Sequence, residues 1–482
     1  MKILLLSLLR LGDILNHREL ARNLKIQYPG CEIHFLIYRQ FQSVEKLLPE
    51  VNKWIYLDRK EIQSILVERS ESPLKAYQKI TGLMKTVSGQ QYDLILNATH
   101  NRLSVRLMDL LQANEKRGVA FEKGQKANDQ NHWQTYLNEN FSEVRGSRFH
   151  YLEVLQKSLE ISFRLPKQAE KRAPHLILIQ LLTSDRKKNW GLKKFFALKK
   201  KLEAEFPNDR ILGICSPQEK AEVEKVFTWN EFLTPNLEEA AQLLKEARLL
   251  ITGDTSIQHL AAHQGCPVVS LFLGSADPVK TAPWQLGAWV IQGQAECAPC
   301  SHSQACHQAS HLCADSLSVE TVFSLVDGIL KEKEICISKS KIFRTSQQQN
   351  SFSLVPLNES FPSALEQTVW SVYLNGSRIS QDDIQHLRAQ ETQVKKIWRE
   401  NERFKLALED YQKGQIELSQ IEAWFPFWKD SFTRLKRDLR GWVELQELNS
   451  IRTEILKALM VEREFSQNGN TRSKSEKHFA QA

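Results

Sequence analysis

Short apolar runs alternate with amphipathic stretches over the first 340 residues, and this alternation predicts two successive α/β blocks. In the first block Ile3–Leu9, Ile33–Ile37, Trp54–Leu57, Leu94–Asn97 and Arg117–Ala120 have strand length and composition. Between them Leu15–Ile26, Glu61–Val87 and Leu103–Leu111 repeat their apolar residues at helical spacing. Strands joined through helices imply right-handed crossovers and a mostly parallel sheet. The polar stretch Phe121–Arg148, which carries Trp133 and Tyr136, breaks the rhythm and reads as a mobile, lid-like insertion. A helix from Tyr151 to Ile161 follows it, and the Pro- and charge-bearing segment Arg164–Pro174 marks a domain boundary.

The second block repeats the pattern. Leu176–Leu181, Ile211–Cys215, Leu249–Thr252, Val268–Leu273 and Trp289–Gln292 read as strands, with helices at Leu192–Glu205, Glu219–Val226, Leu237–Glu246 and Ile257–Gln264. The expected domains are 1–165 and 166–337, with a cleft between two sheets where ligands bind outside the carboxyl ends of parallel strands. Beyond them a Ser/Gln-rich linker spans 338–362, a helix-rich, aromatic-containing extension 363–465, and a polar, frayed tail 466–482.

Composition narrows the class. With 482 residues, 41% hydrophobic and 25% charged, wholesale disorder is excluded. A net charge of +8 fits anionic partners but is too small to single out nucleic acid. No run of 18 apolar residues exists, and the N-terminal run lacks a small-residue cleavage site, so it reads as a buried first strand. The expected compartment is the cytoplasm, where the eight cysteines serve as thiols or metal ligands sooner than as disulfides.

Three loops carry chemistry. In Arg10-Leu11-Gly12-Asp13, Gly12 turns the chain off the first strand and sets Asp13 at the sheet's mouth. There a carboxylate accepts a proton from a hydroxyl nucleophile, or serves only as a helix cap. Residues 186–201 hold eight Lys/Arg and no acid. Lys193, Lys194, Lys199, Lys200 and Lys201 read as a solvated face, whereas Lys187 and Lys188 precede the helix, where a phosphate is reached. Few aromatics interleave, which argues against nucleic-acid binding. Finally, Thr252 to His259 joins a strand to a helix: Asp254 and Thr255 sit at the turn, Ser256 opens the helix, and His259 follows one turn in. Helix N–H groups and hydroxyls there suit a diphosphate, while a lone helical His is more often a packing residue. His259 and His263 share a metal-pair spacing, but no HExxH glutamate accompanies them.

In this order the three patterns resemble glycosyltransferase family 9, the ADP-heptose:lipopolysaccharide heptosyltransferases. KILLLSLLRLGDIL is similar to the family's first strand and R-x-G-D loop, KNW to its K-x-W, and Glu219 in CSPQE to its acidic donor-site position. ITGDTSIQHLAAHQGCPVVSLFLGSADPVKTAPW resembles the family's D-[ST]-G-P-x-H-L-A-A signature and the stretch that follows it. The resemblance covers roughly residues 1–335 and implies a GT-B architecture, two Rossmann-like domains facing a cleft. It implies inverting transfer of a heptose from ADP-heptose to a lipid-linked saccharide, with no cofactor and no obligatory metal. The implied setting is cytoplasmic, with peripheral contact at the inner membrane. By position, Asp13 is the base, with Arg10, Gly12 and Arg18 on the acceptor side. Lys188 stabilises the leaving diphosphate, Glu219 holds the ribose and Asp254 the sugar. Lys187, Thr255, Ser256 and His259 complete the donor pocket.

Some positions depart from the family pattern. Ser256 and Ile257 replace its Gly and Pro, and Asn16-His17-Arg18 replaces small or apolar residues and proline. A Cβ at Ser256 is expected to crowd the donor. These departures and the helical tail carry an alternative reading, a catalytically reduced sugar-nucleotide-binding or scaffold protein. Cys297, Cys300, Cys306 and Cys313, spaced C-x2-C-x5-C-x6-C, read as a structural zinc site, or as a thiol cluster or occasional disulfide.

Overall fold

The computed structural model describes residues 1–59, 89–122, 125–127, 131–139, 148–170, 172, 175–295, 297–301, 304–335, 337, 341–348 and 351–356, plus isolated positions elsewhere. The helix expected over Glu61–Val87 lies largely outside the described residues, as do most of the extension expected over 363–465 and the tail 466–482. Contacts group Met1–Leu357 into one compact unit and Asn358–Ala482 into a second. Every described strand belongs to the first unit. No described helix is long and apolar enough to cross a membrane.

The first sheet contains β1 (Lys2–Ser7), β2 (Glu32–Tyr38), β3 (Lys53–Leu57), β4 (Tyr92–Asn97) and β5 (Ala113–Gly118), in the order β3-β2-β1-β4-β5. Every pairing is parallel. Ile3 to Leu6 of β1 are wholly buried, as a strand covered on both faces requires. A short antiparallel hairpin follows, β6 (Ala120–Glu122) and β7 (Gln125–Ala127).

The second sheet contains β8 (Leu176–Gln180), β9 (Arg210–Ile214), β10 (Phe232–Leu233), β11 (Leu249–Gly253), β12 (Val268–Phe272) and β13 (Trp289–Gln292). It ends in β14 (Lys341–Gln348) and β15 (Ser351–Pro356), in the order β10-β9-β8-β11-β12-β13-β14-β15. The pairings are parallel as far as β13 and antiparallel beyond it. In each sheet the order reverses at the first strand, so the loops after β1 and β8 open at a switch point. Both chemistry-bearing loops therefore start where parallel sheets leave a crevice.

Two expectations are corrected. The linker expected over 338–362 is in large part the β14–β15 hairpin, which covers the edge of β13. Its polar composition concealed three inward residues. Ile342 joins the second core, Thr345 bonds the Gln285 carbonyl at 2.6 Å, and Phe352 packs with Trp284 and His150 at 4.7 and 4.9 Å. The insertion Phe121–Arg148 is likewise no loose lid where it is described. The helix His132–Glu139 buries Trp133 and Tyr136 against Phe149, with ring centroids 5.0 and 5.7 Å apart.

The two sheets are joined through specific contacts. The helix Leu11–Asn16 packs on the helix Ser256–His263. Glu19 and His263 approach to 3.4 Å, and Lys46 pairs with Glu238 at 2.9 Å. Leu152, on the helix Tyr151–Ser158, belongs to a cluster with Phe272, Trp284, Val290 and Phe352.

Candidate active site

The first wall of the site is the turn after β1. Asp13 is the third residue of the helix Leu11–Asn16, and its Oδ2 accepts the Arg10 N–H at 3.2 Å. The capping role is therefore real, yet it uses one carboxylate oxygen. Burial raises the Asp13 carboxyl above the usual range, opposed by the Arg10 N–H and the Arg10 charge; Asp254 raises it further and Lys188 lowers it. Asp254 and Lys188 belong to the other domain, so Asp13 faces them across the cleft. A raised carboxyl is better matched to neutral pH as a proton acceptor.

Gly12 explains the close approach. A Cβ there would stand 3.2 Å from His259 Cδ2 and 3.6 Å from the Ser256 Cα. The missing side chain of Gly12 is thus what lets the helices Leu11–Asn16 and Ser256–His263 pack together.

The second wall is built from two turns. The turn after β8 is a short 3-10 helix, Arg186–Lys188, capped by Asp185, whose carboxylate accepts from Lys187 N at 3.0 Å and from the Ser275 hydroxyl at 3.0 Å. Asn189 Oδ1 accepts from Thr183 N at 2.7 Å, and buried Trp190 donates to the Leu317 carbonyl at 3.0 Å. Thus clamped, Lys188 reaches Asp254 on the turn after β11 at 2.6 Å, with side-chain exposures of 11% and 8%. Gly274, at φ +59, lies against this turn, and a Cβ there would run into the Lys187 carbonyl oxygen. Gly274→Ala is expected to cost about 1–3 kcal/mol through the disfavoured backbone alone. It should weaken nucleotide binding as the Lys188 turn shifts, which thermal unfolding with and without ADP checks.

Thr255 caps the helix Ser256–His263 by accepting from Gln258 N at 3.4 Å, and it lies 3.3 Å from the Thr252 hydroxyl. The first-turn N–H groups of Ser256 and Ile257 have no partner within the helix. Buried His259 is held down to about 4 by burial, partly offset by Asp254 and reinforced by His263 and Lys188. It is a neutral imidazole at physiological pH, and its Nδ1 has no hydrogen-bond partner. Glu219 sits in the turn after β9, where its Oε2 accepts from Ser216 N at 2.8 Å and its other oxygen takes no part in that cap.

Other expected residues are placed elsewhere. Arg18 begins a second helix, Arg18–Gln27, and forms a two-nitrogen pair with Glu50 at 3.2–3.3 Å. The Lys187 ammonium turns from Asp254 to the Ser301 and Gln304 carbonyls at 2.8 and 2.6 Å. Arg10 is exposed, and with Lys187 it lines a cavity of about 880 Å³ that reaches Cys306 and His311. His17, in the segment that departs from the family pattern, is buried: it bonds Ser7 at 2.7 Å and the Tyr151 hydroxyl at 3.0 Å. The basic face is paired as well, Lys199 and Lys200 with Glu203 and Glu231, and Lys201 with Glu320.

Cys297, Cys300, Cys306 and Cys313 are free thiols. Burial, then the neighbouring Cys297, Cys313 and Cys306, push the Cys300 thiol up, and Cys313 Sγ accepts from Gly274 N at 3.3 Å. Among the described residues no group of three His, Cys, Asp or Glu side chains is arranged to hold a metal.

Sequence reasoning missed Tyr151 and Asp277. Burial, and after it the Asp13 charge, push the Tyr151 hydroxyl well up. Asp277 caps the helix Pro278–Thr281, and burial raises it, with Asp254 adding to the rise. Tyr151 stands outside the loops whose spacing announces chemistry, whereas Asp277 lies within the GSADPVKTAPW stretch that resembles the family.

The buried histidines give a stability prediction. Burial lowers His17 and His150 to about 3 and His259 to about 4. Their unfolded value is about 6.5, so the stability they contribute is complete above that pH and is lost as pH falls toward the folded values. Asp13 and Asp277, raised by burial, act in the opposite sense. With three histidines at work, Tm should decline between about pH 7 and about pH 5. A flat or rising Tm would show that these imidazoles take up protons without unfolding.

Two facing α/β domains, with a buried carboxylate on one and a lysine-lined, helix-capped turn on the other, define a glycosyltransferase. The family model described as Glycosyltransferase family 9 (heptosyltransferase) matches residues 80–311. That match includes Lys188, Glu219 and Asp254–His259 and leaves out the Arg10–Asp13 loop. Lipopolysaccharide heptosyltransferase 3 of Escherichia coli is 24% identical over 305 residues, covering 57% of this chain and 83% of that protein. A family 9 glycosyl transferase structure from Veillonella parvula has a TM-score of 0.52 at 18% identity, covering 69% of this chain and 98% of that one. E. coli heptosyltransferase WaaC with ADP-2-deoxy-2-fluoro heptose has a TM-score of 0.48 at 17% identity, covering 68% and 100%.

Proposed function

We propose that this chain transfers a heptosyl group, with inversion, from ADP-heptose to a hydroxyl of the lipopolysaccharide core or another lipid-linked saccharide. The observation that carries the reading is the convergence of Asp13 with Lys188, Asp254 and His259 across the cleft. The acceptor hydroxyl attacks the anomeric carbon as its proton passes to the free oxygen of Asp13. The bond to the diphosphate breaks, and the charge that develops is met by Lys188 and by the N–H groups of Ser256 and Ile257. Neutral His259 donates or accepts one hydrogen bond without adding charge. Asp254 holds Lys188 and orients the sugar, and Glu219 keeps one oxygen for the ribose.

A lysine and oriented amides supply the positive field, so the transfer needs no divalent ion, and turnover should persist in EDTA. A lipid-linked acceptor implies work at the cytoplasmic face of the inner membrane. The scaffold alternative is not favoured, because Asp13, Lys188 and Asp254 are all retained and brought together. The test is incubation with ADP-heptose and extracted lipid acceptor, reading ADP release and the product's anomeric configuration. Donor hydrolysis with no transfer to any lipopolysaccharide acceptor, or activity abolished by EDTA and restored by a metal, would overturn this reading.

A further inference from the structure

The chain breaks at His17, between the helices Leu11–Asn16 and Arg18–Gln27. Its φ of −67 is helical, but its ψ of −8 stands well off the roughly −42 of an α-helix. Nothing local imposes the break. Asp13 to Gln27 contains no proline and no glycine, and the Leu, Arg, Glu, Ala and Lys residues there favour one continuous helix. A break that the local sequence does not encode is held from outside the segment.

The His17 imidazole, wholly buried, is the holder. Its Nδ1 bonds the hydroxyl of Ser7, the last residue of β1, at 2.7 Å. Its Nε2 bonds the hydroxyl of Tyr151, the first residue of the helix Tyr151–Ser158, at 3.0 Å. The Tyr151 O–H is given to the Ala98 carbonyl at 3.3 Å, so the Nε2–H donates to Tyr151 and Nδ1 accepts from Ser7. A neutral ring thus uses both nitrogens, since burial and then the His100 charge hold His17 down to about 3. His17 follows Asp13 by one turn, and its own N–H donates to the Asp13 carbonyl at 2.9 Å. The Arg10 N–H meets the Asp13 carboxylate at the opposite end. Asp13 therefore sits on a six-residue helix secured at its start by a cap and at its finish by His17.

We propose that His17 is a positioning residue for transfer. Its bonds to Ser7 and Tyr151 tie the finish of Asp13's helix to β1 and to the helix Tyr151–Ser158, and so keep the Asp13 carboxylate in place. The proposal rests on the reading of Asp13 as the base. A helix of six residues is too short to keep its form unaided, so freeing its finish moves the carboxylate as well. A base displaced by about 1 Å forfeits rate. The nucleotide is left undisturbed, because Lys188, Asp254 and the helix Ser256–His263 belong to the other domain.

The test is steady-state transfer and ADP titration of His17→Leu in the full chain, alone and combined with Asp13→Asn. Leucine keeps the bulk and loses both bonds. In the single variant kcat should fall about 10–100-fold, while the KM for ADP-heptose and the affinity for ADP stay at wild-type strength. In the Asp13→Asn background the same change should cost little more, because no base is left to position. Ser7→Ala deletes one bond and leaves the imidazole in place. It should lower kcat about three- to tenfold with the same KM, and it carries the test if His17→Leu does not fold. Wild-type kcat in these variants would overturn the proposal. So would a loss that multiplies in full with that of Asp13→Asn, or an equal loss of ADP affinity, the behaviour of a residue that supports only the fold. Wild-type turnover in Asp13→Asn overturns the base assignment and this proposal with it, whereas an impaired Asp13→Asn beside an unimpaired His17→Leu overturns this proposal alone.

Discussion

Asp13→Asn is expected to lower transfer by about 10²–10⁴-fold while ADP binding stays at its wild-type strength. Asparagine keeps the shape of the side chain and an oxygen to accept the Arg10 N–H, so the cap at 3.2 Å survives. What it loses is the ability to take a proton. Burial raises the Asp13 carboxyl, so the acid limb of the kcat/KM profile should lie above the usual carboxylate range. His259, at about 4, is already neutral there. Single-turnover transfer and ADP titration of the variant together settle the role. Wild-type turnover in Asp13→Asn would leave Asp13 a helix cap and nothing more.

Lys188→Ala is expected to act on stability and activity together. The pair with Asp254 is 2.6 Å long and nearly closed to solvent, so deleting one partner strands a buried carboxylate. Such deletions cost about 3–5 kcal/mol, more than the pair itself contributes. Removing the charge that meets the leaving diphosphate should also lower turnover by about 10²–10³-fold. The double variant Lys188→Ala/Asp254→Asn separates the two effects, because it removes the stranded charge. Its Tm should return toward wild type while transfer and stabilisation by ADP stay lost. If Lys188→Ala keeps its full affinity for ADP, the diphosphate is held elsewhere.

Much of this site was legible before the fold. The helices Leu192–Glu205 and Leu237–Glu246 have the bounds that their periodicity predicts, and the second carries an Asn236 cap closed by Glu239. Apart from β10, β14 and β15, the strands of both sheets appear within a few residues of their apolar runs. Lys187 and Lys188 show where legibility stops. They are adjacent and chemically alike, yet one faces the Ser301 and Gln304 carbonyls and the other Asp254. Arg18 fails for the same reason: its partner Glu50 is 32 residues away. The β14–β15 hairpin was hidden because a strand added at a sheet edge needs few inward side chains, and Ile342, Thr345 and Phe352 are few among many polar neighbours.

The sequence alone determined most strands and helices of the two α/β blocks, and that the loops at Arg10–Asp13, Lys187–Lys188 and Asp254–Thr255 leave a strand at its carboxyl end. Those are local properties, set by side-chain period and turn chemistry. The tertiary structure alone decided that the bare backbone of Gly12 meets His259 and that Asp13 senses Asp254 and Lys188. Such pairings join residues more than a hundred positions apart. They depend on the docking of one domain on the other, and no spacing within either domain encodes it.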